Sequence, residues 1–223
     1  MDGLPAGAFV TGTDTEVGKT VVAAAIARTL AAEGRRVAVF KPAVTGLEEE
    51  GEADHELLRR ASGSRQSDAE IAPYRYEPPA SPHLAAALAG ERIDPEVLRE
   101  TARAAGEGAE ALVCEGVGGI LVPLAPDYLV RDLAVDLGQP LVVAARPGLG
   151  TINHTLLTLE SARAAGLEVR AVVLTPWPAE PTELESSNRE TIEALGRVPV
   201  LTLPLLDLAA PETWSPLRVF STP

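Results

Sequence analysis

Gly12-Thr13-Asp14-Thr15-Glu16-Val17-Gly18-Lys19-Thr20 follows the apolar run Ala8-Phe9-Val10-Thr11 and opens an Ala-rich segment. The order is strand, Gly-rich turn, helix. A phosphate-binding loop needs exposed backbone N–H groups, a helix N-terminus, a Lys and a hydroxyl for magnesium, and all four are here. Within the helix Val22, Ile26 and Leu30 fall four apart on one face, and Gly34 ends it. The spacing departs from the common pattern, which puts four residues between the Gly and the Gly-Lys; five lie between Gly12 and Gly18. A chance Gly-Lys-Thr in a loop is the plain alternative, and the strand before it and the helix after it argue against that. The nucleotide-binding set read here is Thr13, Asp14, Glu16, Val17, Gly18, Lys19, Thr20 and Val21.

The same alternation continues outward. Further apolar strands are read at 37–41, 111–114, 141–145, 169–174 and 198–203. Helices are read at 54–61, from Asp94-Pro95 onward, and at 128–137, 151–165 and 183–195. Strands apolar throughout are buried on both faces. The pattern therefore predicts an α/β fold of the P-loop NTPase kind, a mostly parallel, doubly wound sheet with helices on both faces. Residues 1–223 are read as one domain, with 1–6 and the tail from about 211 irregular, and 48–52 as a solvated acidic loop. Such sheets bind ligands at the carboxyl ends of their strands, so the residues just after each strand are the ones to weigh.

Composition excludes several classes. Net charge is −13 and the only adjacent basic pairs are Arg35-Arg36 and Arg59-Arg60, so no basic face for nucleic acid is expected. There is no apolar run of membrane-spanning length and no basic-then-apolar leader, which points to a cytoplasmic protein without membrane partners. The single Cys114 permits no internal disulfide and reads as a small buried hydrophobe. One Met, one Cys and few amides resemble a thermophile's composition, and GC-rich coding gives a similar bias.

Several residues stand where chemistry is expected, each with a plainer reading beside it. Glu115 ends an apolar strand next to the phosphate loop, where a carboxylate either holds a cation or stays in solvent. Gly116, Gly118 and Gly119 after it let backbone approach a ligand. Asp54 is a metal ligand or an ordinary helix N-cap, and Asn153 also stands at an N-cap-like position. Lys41 follows the second strand, and its plain reading is a solvated strand-end lysine. His55, His83 and His154 are taken as structural.

The nonapeptide closely resembles the phosphate loop of dethiobiotin synthetases. Other segments resemble that family in order: Phe40-Lys41-Pro42-Ala43-Val44-Thr45-Gly46, Asp54, Ser81-Pro82-His83, Cys114-Glu115-Gly116-Val117-Gly118-Gly119, and Gly150-Thr151-Ile152-Asn153-His154. The resemblance spans residues 8 to about 206. It implies an ATP- and Mg2+-dependent cyclo-ligase that forms the ureido ring of dethiobiotin from 7,8-diaminononanoate and CO2, through a carbamate and a carbamic-phosphoric mixed anhydride. It further implies Lys19 and Lys41 as catalytic residues and Thr20, Asp54 and Glu115 as magnesium ligands. Gly116, Val117 and Gly118 would lie on the nucleotide, Thr45 would bind substrate, and Thr151 and Asn153 would bind it from the other subunit of a homodimer.

Two rival readings are a MinD- or ParA-like switch ATPase and a related corrinoid amidoligase. The switch proteins carry an extra Lys early in the loop, absent from Thr13-Asp14-Thr15-Glu16-Val17. The amidoligases usually carry an added glutamine-hydrolysing domain with a nucleophilic Cys, for which this chain has neither the length nor a candidate. At the nucleobase the chain departs from many family members. Where they end a strand in an Asn that pairs with adenine, this chain has Thr175-Pro176. That leaves backbone groups of Pro204, Leu205 and Leu206 for the base.

Overall fold

The computed structural model describes residues 4, 6–48 and 51–220. Of the acidic run at 48–52, Glu49 and Glu50 lie outside the described residues, as do most of 1–6. Six parallel strands form the central sheet: β1 (Gly7–Gly12), β2 (Val37–Phe40), β3 (Ala111–Gly119), β4 (Leu141–Ala145), β5 (Val169–Trp177) and β6 (Val200–Pro204). Their order is β6-β5-β4-β1-β3-β2. The chain therefore leaves β1 toward one edge, returns through β3 and crosses to β4 on the far side. The reversal sets the topological switch point beside β1, at whose carboxyl end the phosphate loop begins.

Side chains alternate across the sheet, and both faces are apolar. Phe9, Ala38 and Phe40 join one buried layer, Ala8, Val10, Val37 and Val39 the other. Helix α1 (Lys19–Ala32) covers the second layer with Val22, Ile26 and Leu30, all buried, together with α2 (Asp54–Ser62). The first layer is covered by α5 (Pro95–Gly106), α6 (Val130–Leu137), α7 (Thr151–Ala164) and α8 (Glu183–Gly196). The doubly wound α/β architecture is as the sequence predicts.

Element ends differ from the sequence reading where polar or punctuating residues sit inside a paired strand. β3 runs on through Glu115 and its glycines because Gly119 pairs with Gly12 of β1. β5 continues past Leu174 through Thr175-Pro176, and Trp177 pairs with Pro204. β6 starts at Val200, two residues later than read. Tyr128 and Leu129 are not helical; they pair with Pro123–Ala125 in a small antiparallel ribbon, and α6 begins at Val130. Two short helices, α3 (Asp68–Ile71) and α4 (Pro82–Leu88), were not apparent in the sequence. Asp94 caps α5 as expected, accepting from the Glu96 N–H. The tail past 211 holds one 3-10 turn, Pro211–Thr213, but it is packed: Leu217 and Val219 are buried and the Leu217 N–H donates to Thr29 Oγ1 at 2.8 Å.

Candidate active site

The phosphate loop is bent back on itself at the foot of α1. Glu16 and Gly18 have φ of 54° and 83°. Gly18 cannot carry a side chain here, because a Cβ would lie 2.6 Å from Thr175 Cγ2. No acidic residue sits in the first turn of α1, so its N–H groups and positive end are free to face an anion. Lys19 curls across the loop and donates to the Asp14 carbonyl at 2.8 Å. Burial lowers its pKa below the ordinary lysine value, which neighbouring carboxylates only partly offset.

Beside the loop, four elements bring four side chains together, with Thr20 supplied by the first turn of α1. Lys41 leaves β2, Asp54 opens α2 and Glu115 stands within β3 opposite Val10. Lys41 Nζ lies 2.8 Å from Asp54 Oδ2 and 2.7 Å from Glu115 Oε1. Thr20 Oγ1 lies 2.9 Å from Asp54 Oδ1 and 2.9 Å from Glu115 Oε1. Burial pulls the Lys41 pKa down, but the two carboxylates outweigh it and hold the ammonium charged well above its ordinary value. Asp54 is pushed up by burial and then held below its ordinary value by Lys41 and the Thr20 hydroxyl. Burial raises Glu115 despite Lys41.

Three plainer sequence readings give way here. Lys41 is not solvated; its side chain is 3% exposed. Asp54 is not an N-cap, since Ala53 holds that position and the Asp54 carboxylate points to Thr20 and Lys41. Asn153 is not an N-cap either: Gly150 precedes α7, and Asn153 is exposed in its first turn.

Glu115 Oε2 is buried and has no hydrogen-bond partner. A carboxylate oxygen in that condition lacks a cation or a donor. The oxygens of Thr20, Asp54 and Glu115 are hard donors, the kind that magnesium prefers with phosphate and water completing its shell. Among the described residues no three His, Cys, Asp or Glu side chains could enclose a metal by themselves. An ion here would depend on the hydroxyl and on a bound phosphate. The residues present fit a magnesium–triphosphate, and fit a free metal less well.

These groups line a cleft of about 830 Å3, whose walls also include Thr45, Val21, Val117 and Gly118. Gly118 has φ of 60°, while Gly116 is small for another reason than ligand approach: a Cβ there would press on Val130 and Phe9. The cleft also takes in Ser81, which stands in the family-like Ser81-Pro82-His83 segment but carries no role assigned from the sequence, and Glu52 and Leu208, which sequence reading did not select. Ser81 precedes Pro82 at the start of α4 and makes no capping bond, so its hydroxyl is free. A Ser-Pro pair signals such a helix start, and the signal was there to be used. Nothing in the sequence marks Glu52 or Leu208.

Thr13, Asp14 and Val17 belong to the loop but lie off the cleft wall, as do Thr151, Asn153, Thr175, Pro176 and 204–206. Leu205 is 82% exposed. His55 is buried, with Nε2 3.7 Å from Asp68, and its pKa is lowered by burial. His83 and His154 are exposed.

Comparison with known proteins agrees with this geometry. A family model described as an AAA domain matches residues 6–213. The ATP-dependent dethiobiotin synthetase BioD of Bacillus subtilis (strain 168) is 41% identical over 197 residues, 87% of this chain and 85% of that protein. The enzymes of the same name from Bacillus cereus (strain B4264) and Rhodococcus erythropolis (strain PR4) are 42% and 41% identical, over 88% and 87% of this chain and 82% and 86% of theirs. The chain belongs to the dethiobiotin synthetase family.

Among solved structures, the signal recognition particle receptor FtsY from Elizabethkingia anophelis matches with a TM-score of 0.53 at 15% identity. A duf1611 family protein from Anabaena variabilis matches at 0.51 and 16%. The chain covers 63% and 53% of those two, and they speak to the fold alone. Family membership sets aside the switch-ATPase and amidoligase readings. Cys114 is buried with its thiol pushed up by desolvation, the state of an inert cysteine and not of a nucleophile. Among the described residues no helix is long and apolar enough to cross a membrane.

Proposed function

We propose that this chain closes the ureido ring of dethiobiotin from 7,8-diaminononanoate and CO2, consuming ATP with Mg2+. The observation that supports it best is the meeting of Lys19, Thr20, Lys41, Asp54 and Glu115 at the mouth of the phosphate loop. One amine of the diamine attacks CO2 to give a carbamate. A carbamate oxygen attacks the γ-phosphorus and releases ADP. The second amine then attacks the carbonyl carbon of the mixed anhydride, closes the ring and expels phosphate.

The protein's part is position and charge. Lys19 lies on the phosphates in the ground state. Lys41 neutralises charge that grows on the carbamate and the transferring phosphoryl group. Thr20, Asp54 and Glu115 would hold the magnesium, which supplies charge neutralisation at the phosphate oxygens when bound. Thr45 faces the diamine from the cleft wall. Thr151 and Asn153 act on it from a second copy of the chain, a reading supported by their absence from this chain's own cleft wall and by Leu149, 91% exposed beside them. The reading thus takes residues 1–223 as one domain, working as a cytoplasmic homodimer.

The deciding experiment follows phosphate release from ATP with diaminononanoate and bicarbonate supplied together and singly, with mass spectrometry of the product. Release that needs both substrates and yields the cyclic urea is the expected result. Hydrolysis independent of the diamine would return the switch reading.

A further inference from the structure

The carboxylate pair raises a question of charge. Two carboxylates that would receive a divalent ion stand buried or half-buried, and both already contact one ammonium. Thr20 also touches both carboxylates at 2.9 Å, but its hydroxyl has one hydrogen and satisfies one of them at a time. The Lys41 ammonium has three hydrogens, and two are used at 2.7 and 2.8 Å to hold Glu115 and Asp54 together. Among the described residues it is thus the one ammonium in contact with both carboxylates, while Lys19 adds its field from farther off. Composition agrees with a special role. The chain has 17 arginines and two lysines, and the two lysines are Lys19 and Lys41. A compact ammonium on a flexible stem can leave such a site, whereas a planar guanidinium fork is fixed by its geometry.

We propose that Lys41 is the resident cation of the metal site, and that arrival of the metal displaces it onto the phosphates. The proposal rests on Thr20, Asp54 and Glu115 being the metal ligands. It adds an order to the reaction. A divalent ion between the same two carboxylates would repel the ammonium at contact distance, and the incoming triphosphate offers it a new anionic partner. The catalytic lysine is therefore held on the protein until metal and nucleotide arrive together, and a free divalent ion competes poorly for the site.

The test titrates metal-free protein with Mn2+ alone, reading free Mn2+ by electron paramagnetic resonance and stability by thermal melting. Wild type should bind Mn2+ weakly. Lys41→Met should bind it at least ~10-fold more tightly, because the competing charge is gone. Without metal it should melt about 10 °C below wild type, since the carboxylates lose their counter-ion, and saturating Mn2+ should recover most of that loss. A Lys41→Met chain that folds only with Mn2+ is the same result at its limit. Lys41→Gln keeps a polar contact and should show the tighter binding with a smaller loss of stability.

Equal Mn2+ affinity in wild type, Lys41→Met and Lys41→Gln, with Glu115→Gln weakening binding in each, would overturn the resident-cation role while leaving the metal ligands standing. Mn2+ binding unaffected by Glu115→Gln in any background would instead remove the metal assignment itself. With only two lysines, side-chain 15N signals of labelled lysine offer a direct view. The Lys41 ammonium signal should shift on adding Mg2+ with ADP, and an unmoved signal would contradict displacement.

Discussion

The charged wall of the cleft and the surface at and beyond its rim are built on opposite principles. The wall formed by the phosphate loop, Lys41, Asp54 and Glu115 is charged, largely buried and cross-linked by contacts of 2.7–2.9 Å. The side where a nucleobase and a second copy would sit is exposed or apolar, with Leu205, Leu208 and Leu149 facing outward. Burying charge is costly unless each group has a partner, so the first wall tolerates few residue types at each position. The second can use backbone and shape, and many sequences would serve it. Specificity of sequence thus follows the cost of burial more closely than it follows nearness to the ligand.

The largest expected effects come from breaking the charged wall. Glu115→Ala leaves Lys41 buried with one partner and removes an oxygen of the proposed metal site, and should lower kcat/KM by about 10^3-fold or more. Lys19→Ala and Lys41→Ala should each come close to that loss but divide it differently. Lys19→Ala should raise the Kd for ATP, because its ammonium meets phosphate in the ground state. Lys41→Ala should depress kcat more than nucleotide affinity, because losing its ground-state phosphate contact is offset by freer metal ligands, while the charge that develops during transfer goes unanswered. Calorimetric ATP affinities set beside single-turnover rates separate the two, and equal loss of affinity in both would contradict the assignment.

The same contrast decides what could be read from the sequence. The sheet, α1 and the phosphate loop were legible because apolar periodicity and the Gly-Lys-Thr turn are local signals. Strand ends were not, because Glu115 and Pro176 look like stops and are strand residues only through pairing with Gly12-containing β1 and with β6. Lys41, Asp54 and Glu115 could be listed but not joined. Their meeting depends on three strands and helices converging, and locally Asp54 resembles a cap. Glu52 and Leu208 reach the cleft through loop geometry that no spacing encodes.

The exposed side is tested next. If the first turn of α7 serves a neighbouring copy's cleft, Asn153→Ala should raise KM for the diamine by about 10–100-fold, the worth of a hydrogen bond to a charged group, and leave KM for ATP unchanged. A chain that is monomeric by light scattering and fully active at the same concentration would dismiss the second copy altogether.

The smallest expected effect concerns the base. Thr175 is 3% exposed, and its methyl lies against Gly18, so the side chain is committed to packing under the phosphate loop. An amide in its place could donate and accept at once along adenine's edge; a hydroxyl is shorter and offers no such pair. Pro176 has no N–H to lend, and Pro204 has none either. What remains is backbone on an exposed segment around Leu205, where water competes for every hydrogen bond. Discrimination between ATP and other triphosphates should therefore be weaker by on the order of 1–3 kcal/mol than with an amide in place. The phosphate loop, which reads no base, should still carry most of the affinity. Turnover with ATP, GTP and CTP at subsaturating concentration measures this, and Thr175→Asn should sharpen the preference for ATP if Gly18 leaves room for the longer side chain. A wild-type preference for ATP above about a thousandfold would mean that another group reads the adenine edge, because a site without a paired donor and acceptor does not reach that ratio.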